Sequence, residues 1–159
     1  MTSKNRDMFS FFRKKAIVDK HTQDKVVACI TNAEKLTSGE IRVFIEHKCN
    51  KADAILRAEE VFTELKMQHT EGRNAILIYV AFTDRKFALY GDKVIYEKAG
   101  GALFWADAAK KLEGHLRKNE ICEGLCNCIN ELGTALAEHF PIDPTIKKNE
   151  LPDEIAFGK

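Results

Sequence analysis

Glu40, Asn74 and Asp92 are the residues whose types speak first of chemistry. Two carboxylates and an amide offer hard oxygen donors, and Ca²⁺ takes about six to eight oxygens from carboxylates, amides, carbonyls and water. Gly39 and Gly91 adjoin two of them, which leaves room for backbone carbonyls to turn inward. Ser38, Thr70 and Arg73 fall within a few residues of the same three. A guanidinium such as Arg73 grips phosphate or carboxylate through two parallel N–H donors. The set therefore suits a divalent cation, calcium first, or a small anion. It also suits metal-assisted phosphate hydrolysis, with Asp92 or a metal-activated water as nucleophile and Arg73 holding the phosphate. The chain has no Cys-x5-Arg thiolate loop, no Asp-x-Asp motif and no Gly-x4-Gly-Lys-Ser/Thr loop. Catalytic residues stay unassigned, and a binding domain ranks ahead of a phosphatase.

Other groupings carry less. Cys122 and Cys126 share a helical face, but Cys128 lies about 200° round it. A tetrahedral zinc site would need a further ligand such as His115 from another helix, so packed thiols are the simpler reading. Phe9, Phe11 and Phe12 precede Arg13-Lys14-Lys15. Such a cluster either touches an anionic membrane surface weakly or folds back as the first turn of the N-terminal helix.

The elements that must position the oxygen donors are legible as periodicities. Val26, Val27, Ile30 and Ala33 mark a helix over Asp19–Leu36, with Gly39 past its end as a left-handed cap. Ile41, Val43 and Ile45 alternate with Arg42, Phe44 and Glu46, a strand. Ala52–Gln68 returns to helical spacing. Ala75–Phe82 is apolar on both faces, the pattern of a central strand. Thr83-Asp84-Arg85 is a turn into a third strand, Lys86–Tyr90. Val94-Ile95-Tyr96 reads as a short strand or turn, and Gly100-Gly101 as a break. Trp105, Ala108, Leu112 and Leu116 make one more helix, with Trp105 packing its start against the sheet. Ile121 through Phe140 makes the last, with Gly124 and Gly133 inside it where a neighbour packs close.

This order predicts an α/β three-layer sandwich, a small mixed β-sheet between helical layers. The first two strands run parallel and the third returns. Thr37–Glu40, Thr70–Asn74 and Gly91–Lys93 then meet at one rim, and Glu46–Cys49 and Thr83–Lys86 at the other. The first rim collects Ser38, Glu40, Thr70, Arg73, Asn74 and Asp92, with Trp105 beside it.

The 159 residues suffice for one domain. Residues 1–18 read as an aromatic and basic segment, 19–141 as the domain, and 142–159 as a tail packed on it. Lys and Arg total 25 against 24 Asp and Glu. That balance argues against a nucleic-acid partner, which needs cations in excess on one face. No apolar run approaches the ~20 residues that cross a bilayer. Five cysteines without framework spacing, and no secretory signal pattern, imply free thiols in the cytoplasm.

An ordered set of segments resembles the TPM domain family, in its short soluble bacterial type. It comprises Thr37-Ser-Gly-Glu-Ile-Arg-Val43, Val61-Phe62 with Leu65, Met67 and Thr70, Arg73-Asn-Ala-Ile-Leu-Ile-Tyr-Val-Ala81, Asp84-Arg-Lys-Phe87 and Gly91-Asp92. Trp105, Glu123-Gly-Leu125, Leu132-Gly133, Phe140-Pro141 and Asn149-Glu-Leu-Pro-Asp153 continue it, so that it spans roughly residues 10–159. The resemblance implies an α/β sandwich, and for some members a divalent metal, calcium most often, or a weak acid-phosphatase activity. Many members are exported or membrane-tethered. This chain departs from those members, with Lys93-Val-Ile-Tyr96 where their Gly-x-Gly-x-Glu loop has its second glycine.

Overall fold

The computed structural model describes residues 17–145 and 151–158. The expectation for Phe9, Phe11, Phe12 and the basic run after them lies outside the described residues. The first helix, α1 (Lys20–Glu34), starts at Asp19, whose Oδ1 accepts the Thr22 N–H at 2.8 Å. Val26 and Ile30 point inward and are fully buried. Strand β1 (Glu40–Glu46) follows, then α2 (Ala54–Glu64), where Asp53 Oδ1 accepts the Ile55 N–H at 3.1 Å. Strands β2 (Ala75–Ala81) and β3 (Lys86–Gly91) form a hairpin. Helices α3 (Lys93–Lys98), α4 (Gly101–Arg117) and α5 (Ile121–His139) come next, and β4 (Ala156–Phe157) is the last element among the described residues.

The sheet order is β3-β2-β1-β4. β1 and β2 are parallel, with Glu40 opposite Ala75 and Ile45 opposite Val80. β3 runs antiparallel to β2, with Leu89 opposite Ile78. Alternation along the strands sorts side chains to two faces. Ile41, Val43, Ile45, Ile76, Ile78 and Val80 share a core with α1, α4 and α5. Phe44, Leu77 and Tyr79 pack with Ala58, Val61 and Phe62 of α2. The mixed sheet thus lies between two helical layers, as the periodicities predict. No helix among the described residues is long and apolar enough to cross a membrane.

Three details differ from the sequence reading. Val94–Tyr96 is helical, because Asp92 Oδ1 accepts the Lys93 N–H at 2.7 Å and starts α3. The C-terminal segment contributes a short edge strand, parallel to β1 with Phe157 opposite Ile45. Gly39 is not a left-handed cap; the glycines with positive φ are Gly100 and Gly101. Its use is space, since a Cβ there would lie 2.6 Å from Leu136 Cδ2. Gly124 and Gly133 do meet close neighbours: an added Cβ would lie 2.7 Å from the Cβ of His115 and 2.8 Å from that of Ala33.

Candidate functional site at the rim of the sheet

Glu40 opens β1, Asn74 immediately precedes β2, and Asp92 immediately follows β3. Glu40 is in register with Ala75, and the Asp92 N–H donates to the Ala75 carbonyl at 2.9 Å. The two carboxylate residues therefore stand on either side of Ala75. Both are buried, along with Asn74.

Their oxygens already have duties. Glu40 Oε1 accepts the Leu151 N–H at 2.6 Å, which ties the C-terminal segment to the start of β1. Asp92 faces Arg73. Arg73 Nε donates to Oδ2 and Nη2 to Oδ1, both at 2.8 Å. That fork raises the Arg73 pKa, chiefly through its hydrogen bonds to Asp92. Arg73 itself has φ 49°, the left-handed region that non-glycine residues seldom enter. Its side chain is 49% exposed and that of Asp92 5%, so the guanidinium covers the carboxylate from the solvent side.

Asn74 differs. It is 1% exposed, yet neither its Oδ1 nor its Nδ2 has a hydrogen-bond partner among the described residues. A Cβ on Gly72 would lie 2.6 Å from Nδ2, so the amide is tucked beneath the Gly72 backbone. Its backbone N–H donates to Thr70 Oγ1 at 3.3 Å. Buried amides are almost always paired, so this one is an unspent donor–acceptor at the rim, one residue before Ala75.

Ser38 and Trp105 sit further out. The Ser38 N–H donates to the Phe140 carbonyl at 3.0 Å and joins the rim to the end of α5. Trp105 is buried, donates Nε1–H to the Tyr96 carbonyl at 3.2 Å and stacks on the Tyr96 ring at 5.8 Å. It packs over Gly91, where a Cβ would lie 2.8 Å from Trp105 Cη2.

The oxygen donors of Glu40, Asn74 and Asp92 match a hard cation in kind, and the orphaned Asn74 amide is the observation in favour. The Arg73 guanidinium on Asp92 is the observation against. Among the described residues no group of three or more His, Cys, Asp or Glu is arranged to hold a metal ion.

Sequence reasoning missed two polar assemblies. The first is Glu34, at the end of α1. Its Oε2 accepts the Ile41 N–H at 2.8 Å, and it shares a hydrogen bond with Asp153. Burial, then that bond and the charges of Asp153 and Glu40, push its carboxyl up to about 9, against one lowering contribution from Ile41. The second is Glu46, which accepts from Arg57 Nε at 2.8 Å, Arg57 Nη2 at 3.0 Å and Tyr79 Oη at 2.5 Å. Glu46 alone raises no suspicion in the sequence. The usable signal was its place on the strand face that α2, with Arg57, must cover.

Residues 12–135 match the family model of the TPM domain. The chain is similar to the BA42 protein of the psychrophilic bacterium Bizionia argentinensis, known from its NMR structure. The two are 36% identical over 91% of this chain and 98% of that one, with a TM-score of 0.81. The N-terminal domain of the cg2496 protein of Corynebacterium glutamicum shares the fold at TM-score 0.58. That match covers 85% of this chain and 86% of that one at 8% identity. No curated protein matches.

Proposed function

The chain belongs to the TPM domain family, and from that premise we propose that it is a binding domain whose rim takes a divalent cation, calcium first. The reading is carried by one observation: a buried amide, Asn74, with both polar atoms unpartnered, on the residue before Ala75, the backbone that Glu40 and Asp92 flank. Glu40, Asp92 and Asn74 Oδ1 would hold the ion. A bound ion would supply positive charge to offset the two carboxylates. In its absence Arg73 supplies that charge to Asp92, so ion and guanidinium compete. The half-exposed Arg73 side chain has solvent to move into. Five unpaired cysteines support a reducing compartment such as the cytoplasm.

Thermal melting in calcium, magnesium and phosphate tests the reading. Calcium at about 100-fold above Kd should add about 2.7 kcal/mol of stability. Arg73→Ala should tighten calcium binding and Asp92→Asn should weaken it. Stabilisation by phosphate and by neither cation would overturn the cation reading. Calcium-dependent hydrolysis of an aryl phosphate, lost in Asp92→Asn, would replace a binding domain with a phosphatase.

A further inference from the structure

A cavity of about 370 Å³ opens at the other end of the sheet, between the β2–β3 turn and the end of α4. Its walls are apolar: Phe82, Phe87, Leu116 and Ile121. Three cations, Arg85, Lys86 and Arg117, share the lining with one carboxylate, Glu113. That carboxylate is already taken, since Arg117 Nη2 donates to Glu113 Oε2 at 3.1 Å. Among the described residues Lys86 Nζ reaches only the Ala52 carbonyl, at 3.4 Å. Arg85 has neither a hydrogen bond nor an ion pair among the described residues. It sits in the turn that borders the cavity, at φ 55°. Lys86 and Arg85 also border a second, shallower hollow next to Asp53.

An apolar hollow with surplus positive charge is complementary to one class of small molecule. A hydrocarbon or aromatic body gains from leaving water for Phe82, Phe87, Leu116 and Ile121. An anionic head gains from Arg85 and Lys86, because a guanidinium forks onto carboxylate or phosphate oxygens. We propose that this cavity is a binding site for a small organic anion with an apolar body, distinct from the rim that holds Asp92. Phe9, Phe11 and Phe12 would be an alternative occupant by their chemistry, but Arg13, Lys14 and Lys15 follow them in the sequence and would bring like charge to a basic site.

The probes are decanoate below its micelle concentration, decyltrimethylammonium with the same tail, and inorganic phosphate. Amide shifts of the full-length protein are followed by NMR. Decanoate should shift Phe82, Arg85, Lys86, Phe87, Leu116 and Ile121. It should bind about tenfold or more tightly than either other probe. Arg85→Asn keeps a residue that tolerates positive φ and removes the charge, so it should weaken decanoate about tenfold with an unchanged spectral dispersion. Glu113→Gln frees Arg117 and should tighten it severalfold. Equal binding of both amphiphiles, shifts elsewhere, or indifference to Arg85→Asn would overturn the proposal. So would decanoate binding only to a full-length Phe9→Ser, Phe11→Ser, Phe12→Ser variant, which would show the chain filling its own cavity.

Discussion

Arg73 and Asp92 close the start of β2 against the end of β3 with two parallel hydrogen bonds of 2.8 Å. Asp92 also starts α3 by accepting the Lys93 N–H. One carboxylate therefore ends a strand, begins a helix and anchors a strained arginine.

Asp92→Ala removes the helix start and leaves Arg73 without its partner. It should lower stability by about 1–3 kcal/mol in denaturant titration. Asp92→Ser keeps an oxygen for Lys93 and should fall between wild type and Asp92→Ala. Equal losses for both would assign the whole effect to the arginine and none to the helix.

Glu34 gives the fold a pH dependence of definite sign. Its carboxyl rises from an ordinary 4.5 to about 9, mainly through burial. A group with a raised folded pKa holds its proton on folding, so the stability it lends is full below about 4.5. That stability is lost as pH rises toward about 9, at up to about 1.4 kcal/mol per pH unit. Glu34→Gln keeps an acceptor for the Ile41 N–H and cannot ionise. Unfolding measured from about pH 5 to about pH 9 should show a flatter profile and a more stable variant at the alkaline end. Parallel profiles for the two proteins would mean that Glu34 is ionised in the fold.

The Glu46 assembly should behave asymmetrically. Arg57 and Tyr79 both have raised pKa values. For Arg57 the first cause is its hydrogen bond to Glu46, and for Tyr79 it is burial, with the Glu46 hydrogen bond next. Tyr79→Phe removes one donor from a carboxylate that keeps Arg57, a loss of about 1–2 kcal/mol. Glu46→Ala takes the forked carboxylate from a part-buried guanidinium that keeps only Glu60 and Glu64, and leaves the buried Tyr79 hydroxyl without its acceptor, a larger loss of about 2–3 kcal/mol. Chemical denaturation of the two variants tests that order, and a reversed order would mean that Arg57 finds solvent easily.

The parts of this fold legible in the sequence are those that periodicity encodes. Ala75–Ala81 is apolar on both faces because helices cover both, and β1 alternates because its two faces meet different layers. The clustering of Glu40, Arg73 and Asp92 at one rim follows from strand direction alone. Which partner each takes does not. Arg73 meets Asp92 because a left-handed turn aims it there, and Glu40 meets Leu151 because a segment 111 residues away returns to cap it. β4 is two residues long and offers no period; it forms because β1 has an open edge. Val94–Tyr96 is too short for a pattern, and its helix is set by the Asp92 cap. The basic cavity was within reach: Phe82, Arg85, Lys86 and Phe87 adjoin in the chain, but their turn reads as a plain connector until Leu116 and Ile121 close over it.

Gly91→Ala tests how rigidly the rim is built. Gly91 has no positive φ, so any penalty comes from space alone. A Cβ there would lie 2.8 and 2.9 Å from Trp105 Cη2 and Cζ2, and 3.4 Å from Ile95 Cγ2. The indole has little freedom to retreat. Tyr96 stacks on one side at 5.8 Å, Phe104 meets it edge-on at 5.3 Å, and Nε1–H is tied to the Tyr96 carbonyl. Overpacking of this kind costs about 1–3 kcal/mol. Trp105 is the sole tryptophan, so tryptophan emission reports on the surroundings of this one ring. Gly91→Ala should lower stability by that amount and shift emission to the red as the ring is pressed toward water. Unchanged emission and stability would mean that α3 and α4 slide together to make room. Asp92 would then lie at a yielding edge, and ions that displace Arg73 should leave the wild-type emission unmoved.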